Sequence, residues 1–512
     1  MKKNLFFCLI LIIGLFFRFY HIDQKVYWHD EVYTSIRTAG YNGQEIVART
    51  FTGEIISPSE LLKYSSINNN KSWQDALEKL IEHPEHPPLY YLLSRAWQQV
   101  FGSSILVTRS LSVVFSLLVL PVIYWLCWEL FNSTKVGWWA MTIIAISPVQ
   151  IVYAQEAREY SLLILTTALS VTALIGAVKR NNYLWWSFYS ISLALDFYVS
   201  LITIYIAIAQ GIYILLLEKF RFTKITYNFL IAGIVSVILF APWLGIIRNN
   251  YHVLKSKTSW TNNEQTFVNL LSSWELHLSR IFIDFNSEID SYLASRILLI
   301  LLISLFICYR LVYLRNPSKT WLLLATTILI PTACLIVPDL IDGGQKSTMT
   351  RYFVPSILMI QVLVAYWLAE IKNLQDIKRI IAILIIIFSG ILSCSIYSQS
   401  NTWWNKTAGS DNIKISAIIN NFESPLLVSS DREINISSII SIVYLLQDNV
   451  QLLLFSPANI PLVDYHNFSN VLIWNIKEES RIEFQKQNNC ELKLIEGNYY
   501  PHLWLMRSGN IN

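Results

Sequence analysis

Long apolar runs alternate with short polar breaks over most of the first 400 residues. Runs of about the length needed to cross roughly 30 Å of hydrocarbon occur at 4–20, 105–130, 138–154, 159–178, 183–198, 200–217, 228–247, 293–313, 320–338, 353–370 and 379–397. This pattern predicts about eleven transmembrane helices. The runs 183–198 and 200–217 are nearly fused, so the boundary between them is the least defined.

The pattern changes after the last apolar run. Short apolar stretches at 426–430, 451–455, 471–476, 492–495 and 502–506 are typical of β-strands, and 411–420 and 436–446 are typical of helices. The sequence therefore predicts an α-helical polytopic membrane domain at 1–397, which includes a long outer loop at 21–104. A small soluble α/β domain is predicted at 398–512.

Composition agrees with a membrane protein. The chain is 54% hydrophobic and 14% charged, whereas soluble domains carry about 25% charged residues. The net charge of +4 comes without a Lys/Arg-rich run, so nucleic acid is not an expected partner. The six cysteines show no CxxC spacing, which argues against a disulfide framework or a thiolate metal site.

Basic residues in the short loops predict the orientation, because they favour the cytoplasmic side. They fall in alternate loops, beginning with Lys2-Lys3, which places the N-terminus in the cytoplasm and the C-terminal domain outside the plasma (inner) membrane. Lys2-Lys3 and the following apolar run resemble a signal peptide. Arg18 follows in place of a small-x-small cleavage site, so an uncleaved first span is expected.

The outer loop 21–104 contains helix-like stretches at 30–50 and 73–81. Next comes the segment 83–88, with three prolines. It is followed by an amphipathic aromatic stretch at 89–101, which is expected to lie in or near the membrane interface.

Four groups of chemically active residues fall on the predicted outer side, close to the membrane. They are Asp30-Glu31 after the first span, Glu85-His86 before residue 89, Arg158 with Tyr160 between the third and fourth spans, and Arg351 with Tyr352 at the tenth span.

Each group has a simple structural explanation when taken alone. Acids such as Asp30 and Glu31 favour a helix N-terminus, Glu85-His86 is compatible with a polar loop, and arginines often anchor span ends. Arg158 and Arg351 lie on the side that the positive-inside rule disfavours, however, and so carry an insertion cost. Together the groups predict one pocket, in which two guanidiniums grip a phosphate and a carboxylate acts as general base. A lipid-linked phosphosugar fits that arrangement.

The order of these motifs resembles the GT-C membrane glycosyltransferases. Within them it is most similar to family 39, which includes the protein O-mannosyltransferases and the bacterial aminoarabinose transferase of lipid A. The matching stretches are 28–34, 83–101, 109–112, 147–162 and 351–356, and the resemblance covers roughly residues 1–400.

The resemblance implies an inverting transferase that uses a polyprenyl-phosphate sugar as donor at the extracytoplasmic face. Asp30 would be the catalytic base, and its neighbour Glu31 would orient acceptor or donor. Glu85 and His86 would sit by the donor phosphate. The phosphate and the sugar would be held by the remaining candidates, Arg158, Tyr160, Arg351 and Tyr352.

The chain departs from the family pattern at two places. His86 stands where relatives have a cation such as lysine, so phosphate binding there would depend on pH or on another partner. Many relatives carry a histidine in the stretch corresponding to 196–200, which has none here. The outer residues His29, His252 and His277 are scattered in sequence and are expected to be loop residues. No obligatory metal or other cofactor is predicted.

Two other functions remain open from the sequence. One is a transporter or flippase of lipid-linked sugars, although such proteins place ionisable groups near the bilayer midplane. The other is an inactive GT-C scaffold that binds lipid-linked sugars or a partner protein. The sugar is not specified by any motif, and the acceptor could be a glycan, a lipid or a protein.

Overall fold

The computed structural model describes residues 2–286, 319–369, 377–430, 435–464, 467–496 and 502–508. Contacts within the chain divide it into two compact units. The first, called here the helical unit, consists of Met1–Ile22, Leu80–Tyr90 and Arg109–Gln399. The second, called the sheet unit, consists of Asp23–Lys79, Tyr91–Thr108 and Ser400–Asn512. The outer loop predicted at 21–104 thus contributes to both units.

Helices dominate the described chain. As far as residue 154 they are α1 (Lys2–Phe19), α2 (His29–Ala39), α3 (Gly43–Thr50), α4 (Pro58–Leu62), α5 (Trp73–Ile81), α6 (Leu89–Phe101), α7 (Ile105–Phe131), α8 (Thr134–Ala145) and α9 (Pro148–Ala154). They continue with α10 (Tyr160–Arg180), α11 (Tyr183–Val199), α12 (Thr203–Leu217), α13 (Lys224–Asn249), α14 (Tyr251–Lys257), α15 (Phe267–Ser279), α16 (Lys319–Asp342), α17 (Val354–Ala369) and α18 (Ile377–Gln399). The C-terminal part has α19 (Asn412–Asn420), α20 (Asn435–Val443) and α21 (Glu478–Gln487).

The predicted polytopic helical architecture is confirmed. Among the described residues, six helices are long and apolar enough to cross a membrane, namely Ile105–Phe131, Tyr160–Arg180, Lys224–Asn249, Lys319–Asp342, Thr350–Ala369 and Ile383–Lys406. Shorter apolar helices at Leu5–Phe19 and Thr203–Leu217 coincide with two further predicted spans. The predicted span 293–313 lies outside the described residues, so the count of about eleven stays a prediction.

The predicted span 138–154 is bent. It is divided into α8 and α9, which meet at a bend of 63°. Ser147 is extended and Pro148 stands in the first turn of α9. Proline has no amide donor and disfavours helical backbone in the residue before it, so the apolar run cannot continue as one straight helix. Helix α9 therefore begins at Pro148, and it ends at Ala154, before the loop that carries Arg158.

A buried arginine joins the first helix to its neighbours in the helical unit. Arg18 is fully buried, and its guanidinium donates to the hydroxyl of Ser116 at 2.9 Å and to the carbonyl of Ala145 at 2.8 Å. The last carbonyls of α8 carry the negative end of the helix dipole, so they compensate the buried charge. Gly14 lies against Ala145 so closely that a Cβ on Gly14 would overlap its carbonyl oxygen.

The sheet unit contains one six-stranded sheet. Its strands are β1 (Thr52–Ile56), β2 (Pro425–Ser430), β3 (Gln451–Phe455), β4 (Asn470–Trp474), β5 (Cys490–Glu496) and β6 (Leu503–Ser508). Their order in the sheet is β1-β3-β2-β4-β6-β5. Strand β2 pairs in parallel with β3 and β4, and the other pairs are antiparallel. Leu426, Val428, Leu453 and Phe455 belong to the apolar core beside the central strands.

The five strands predicted after residue 398 are confirmed within about two residues at each end. The predicted helices at 411–420 and 436–446 correspond to α19 and α20. Strand β1 and helix α21 are not predicted by the sequence. β1 is a short, largely exposed edge strand whose partner β3 lies far away in the chain, and α21 is too polar to show a helical apolar stripe.

Candidate active site

Asp30 and Glu31 lie in the first turn of α2, in the sheet unit. Their carboxylates there favour the positive end of the helix dipole. The predicted helical stretch 30–50 is interrupted after α2, because Gly40 adopts a left-handed conformation with φ of 91° and ends the helix. Asp30 is partly exposed, whereas Glu31 is completely buried.

The buried partner of Glu31 was not predicted from the sequence. The Nζ atom of Lys406 lies 2.6 Å from the Oε2 atom of Glu31, and both side chains are 0% exposed. Lys406 Nζ also lies 5.9 Å from the centre of the Trp28 ring. The two adjacent acids of α2 therefore have different environments.

Glu85 and His86 lie in the helical unit, in the turn between α5 and α6. The Glu85 Oε1 atom is 3.3 Å from His83 Nδ1 and 3.9 Å from His86 Nε2. The carbonyl of Pro84 accepts a hydrogen bond from the indole of Trp243 at 3.3 Å, which fixes the turn against α13. The predicted pair is thus a carboxylate between two imidazoles.

Arg158 lies in the loop between α9 and α10, also in the helical unit. Its Nε atom is 3.2 Å from the carboxylate of Glu159, and its guanidinium carbon is 5.9 Å from the centre of the Tyr160 ring. The Ser112 hydroxyl bonds the Arg158 carbonyl at 3.2 Å and the Tyr90 hydroxyl at 2.9 Å. These bonds join Tyr90, Ser112 and Arg158, which come from three of the predicted motifs, within the helical unit.

Arg351 and Tyr352 lie in a 3₁₀ turn, Thr350–Phe353, just before α17. The guanidinium carbon of Arg351 is 5.6 Å from the Tyr352 ring centre and 5.8 Å from that of Trp260. Two aromatic rings therefore flank this arginine, an arrangement that suits a planar cation.

A buried hydrogen-bond network supports the turn that carries Arg351. The Arg280 guanidinium donates to the Thr350 hydroxyl at 3.0 Å, which lies 2.8 Å from His277 Nδ1. His277 Nε2 lies 3.0 Å from the Ser347 carbonyl. A carbonyl can only accept, so Nε2 carries the proton and Nδ1 accepts from Thr350.

Burial, together with the nearby Arg280 charge, lowers the pKa of His277 to about 3. The ring is therefore neutral at physiological pH. The expectation that His29, His252 and His277 are loop residues is wrong, because they lie in α2, α14 and α15.

Helix α9 connects the two arginine segments. The ring of Tyr153, near its end, contacts that of Tyr160 with centroids 4.9 Å apart. Near its start, the Val149 amide donates to the carbonyl of Arg280 at 3.3 Å, and the Arg280 side chain bonds Thr350, next to Arg351. Segments far apart in the chain thus contact one another within the helical unit. The single pocket predicted for the two arginine groups stays a prediction.

The stretch 196–200, which lacks the histidine of many relatives, contains a buried carboxylate. Asp196 accepts hydrogen bonds from the hydroxyls of Thr166 at 2.5 Å and Thr167 at 3.3 Å. In the described part of the chain, no three His, Cys, Asp or Glu side chains are grouped to hold a metal ion. Metal independence remains a prediction.

The fold defines a class, the polytopic helical membrane proteins. Residues 85–246 match the family described as dolichyl-phosphate-mannose-protein mannosyltransferase, a region that includes Glu85, His86, Arg158 and Tyr160. A comparison with curated proteins gives no sequence match.

Two solved structures of ArnT show the same fold. The apo structure of ArnT from Cupriavidus metallidurans matches with a TM-score of 0.58 at 11% identity, over 99% of this chain and 98% of its own. ArnT from Cupriavidus metallidurans bound to undecaprenyl phosphate matches with a TM-score of 0.53 at 10% identity, over 98% of both chains. AglB from Archaeoglobus fulgidus, in complex with an inhibitory peptide and a dolichol-phosphate, gives a TM-score of 0.45 at 11% identity, over 86% of this chain and 64% of its own.

The predicted resemblance is therefore confirmed. The chain has the GT-C fold and is similar to the protein mannosyltransferases and ArnT, which supports a membrane glycosyltransferase in general terms.

Proposed function

We propose that the protein transfers a sugar from a polyprenyl-phosphate donor to an acceptor at the extracytoplasmic face of the plasma (inner) membrane. The observation that supports the proposal is that helix α9 contacts both arginine segments in the helical unit, through the Tyr153–Tyr160 ring contact and the bond from the Val149 amide to Arg280. Two guanidiniums placed among aromatic rings suit a phosphate that carries an apolar tail and a sugar. The proposed topology has a cytoplasmic N-terminus and an extracytoplasmic C-terminal domain at 398–512.

The donor phosphate is assigned to Arg158 and Arg351, with Tyr160 and Tyr352 beside them. A guanidinium has five N–H donors, so Arg158 can bond a phosphate while it remains paired with Glu159. Support for the donor class comes from ArnT of the same fold, whose structure was solved with undecaprenyl phosphate. As the sugar leaves, negative charge grows on this phosphate, and fixed cations stabilise it.

Glu85 and His86 are assigned to the same phosphate. His86 adds a positive charge when protonated, and Glu85 lies close enough to stabilise that form. Phosphate binding at this position would then strengthen as the pH falls.

Asp30 is assigned the role of general base. Its carboxylate would take the proton of an acceptor hydroxyl while the oxygen attacks the anomeric carbon. The bond from that carbon to the phosphate oxygen breaks on the opposite side, so the configuration inverts and polyprenyl phosphate leaves as an anion. Glu31, the second predicted catalytic acid, is buried against Lys406, and we assign it the orientation of this turn.

The test is Asp30→Asn in membranes supplied with a labelled polyprenyl-phosphate sugar. Loss of a general base should slow transfer by about 100-fold or more, because the amide cannot accept the proton. Asp23→Asn is the matched control, since Asp23 is an exposed acid in the same segment and should transfer normally.

Unchanged transfer by Asp30→Asn would refute the assignment of the base. Movement of intact lipid-linked sugar across sealed vesicles, without transfer by the wild-type protein, would instead support a transporter. Mass spectrometry of the lipid-linked sugar that copurifies would identify the donor.

A further inference from the structure

The turn that carries Asp30 is held by the segment after the last helix of the helical unit. Within the sheet unit, the Val26 amide donates to the Asn401 carbonyl at 2.9 Å. The Ser437 hydroxyl lies 2.7 Å from His29 Nδ1. Lys406 binds Glu31 at 2.6 Å. Three contacts with residues after 400 thus hold Val26, His29 and Glu31 in place within the sheet unit.

The Lys406–Glu31 pair is expected to add little to the free energy of unfolding. Both side chains are 0% exposed, so each charge loses its hydration, and the attraction between them often does no more than offset that loss. Its geometric effect is specific, since the contact is short and Lys406 is buried at the end of the 3₁₀ turn Trp404–Lys406. A role in fixing the arrangement of α2 therefore explains the pair better than stability does.

The contact between Lys406 and Glu31 also fixes the orientation of Asp30 around the axis of α2. Consecutive residues of a helix point about 100° apart around its axis, so a helix that cannot rotate at Glu31 cannot rotate at Asp30. The groups that act on Tyr33, one turn after residue 29, include Asp30, Arg37 and Ser437, which places Asp30 in the same cluster of polar side chains.

We propose that Lys406 is a positioning residue for glycosyl transfer. It binds Glu31, fixes the rotation of α2 and so orients the Asp30 carboxylate. The proposal rests on the proposed function, in which Asp30 is the base. It assigns a catalytic task to the C-terminal segment that the match at 85–246 does not reach.

The experiment compares Lys406→Met, the double variant Glu31→Gln/Lys406→Met and the wild-type protein, with purified donor and full pH profiles. Lys406→Met keeps most of the side-chain volume and removes the charge. We expect kcat to fall by about 100-fold from misplacement of the base, with little change in the donor KM.

The pH profile separates positioning from simple damage. Removing a positive charge near a carboxylate favours its protonated form, so the acid limb of kcat/KM should move to higher pH by about one unit in Lys406→Met. In the double variant the negative charge of Glu31 is removed as well. The acid limb of kcat/KM should then return to its wild-type position, while kcat stays low.

The matched control is Lys71→Met. Lys71 pairs with Glu45 at 3.0 Å in the same unit. Its replacement by methionine should leave both kcat and the acid limb of kcat/KM unchanged. Lys406→Met with wild-type kcat and an unmoved acid limb would overturn the proposal.

If Lys406→Met does not fold, the double variant decides, because it leaves no uncompensated buried charge. Wild-type kcat in that variant would refute positioning. Failure of the proposed function has a different signature: Asp30→Asn would then be fully active, or the wild-type protein would transfer nothing, whatever the Lys406 variants do.

Discussion

Replacing His277 by glutamine should remove a pH dependence from the stability of the protein. His277 is buried in α15 and bonds Thr350 through Nδ1 and Ser347 through Nε2. Glutamine can still donate to the Ser347 carbonyl but cannot also accept from Thr350 at the Nδ1 position. The substitution thus tests both the neutral state of the ring and its support of the Arg351 turn.

The magnitude follows from the pKa of His277, which burial lowers from 6.5 to about 3. As the pH falls below 6.5 the unfolded chain binds a proton at this ring, whereas the folded protein does so only near pH 3. Stability therefore decreases across this window, by about 1.4 kcal/mol for each pH unit well inside it. Between pH 7.5 and 5 the total loss is about 2 kcal/mol.

Glutamine does not titrate, so His277→Gln lacks this loss. It should instead cost about 1 kcal/mol at every pH, because one hydrogen bond is lost. The variant is therefore expected to be less stable than the wild-type protein at pH 7.5 and more stable at pH 5. The two curves of stability against pH should cross.

The assay is the apparent Tm in detergent, measured at one scan rate from pH 7.5 to 5. All other side chains are the same in the two proteins, so the difference between their curves isolates His277. His252→Gln is the control, since His252 is exposed, and its curve should run parallel to that of the wild-type protein. Parallel curves for His277→Gln would refute the reasoning that the buried ring resists protonation.

The remaining predictions concern the donor and the packing of the helical unit. Arg351→Lys should raise the donor KM by about 10-fold, because lysine cannot form the bidentate contact of a guanidinium. The same change at the exposed Arg248 should leave the donor KM unchanged. An unaltered donor KM for Arg351→Lys would exclude a phosphate contact by Arg351. Gly14→Ala should destabilise the protein by about 1–3 kcal/mol, because its Cβ would overlap the Ala145 carbonyl. Gly233→Ala, where a Cβ meets open space, should not lower the Tm, and equal effects of the two alanines would contradict the close packing of α1 on α8.

The membrane helices are largely predictable because their signal is local. A long apolar run in lipid satisfies its backbone polar groups only as a helix, so length and hydropathy suffice for segments such as 105–130 and 159–178. The bend at Ser147 is a partial exception. Pro148 signals it in the sequence, but only the structure shows that the run 138–154 is divided into two helices.

The sheet unit is less predictable because its pairings are not local. Strands β2 to β6 show local β patterns, but β1 gains its structure from pairing with β3, far away in the chain. No local pattern can reveal such a partner, since the hydrogen bonds exist only after the chain has folded.

The sequence by itself determined the helical membrane architecture, the α/β character of the C-terminal region and the identity of the candidate residues, because hydropathy, strand patterns and motif order are written along the chain. Only the tertiary structure decided which partners those residues have. It paired Glu31 with Lys406, Arg158 with Glu159 and the Arg351 turn with His277 and Arg280. A buried charge takes whatever compensating group the fold brings within hydrogen-bonding distance, and that distance is a property of the packed chain.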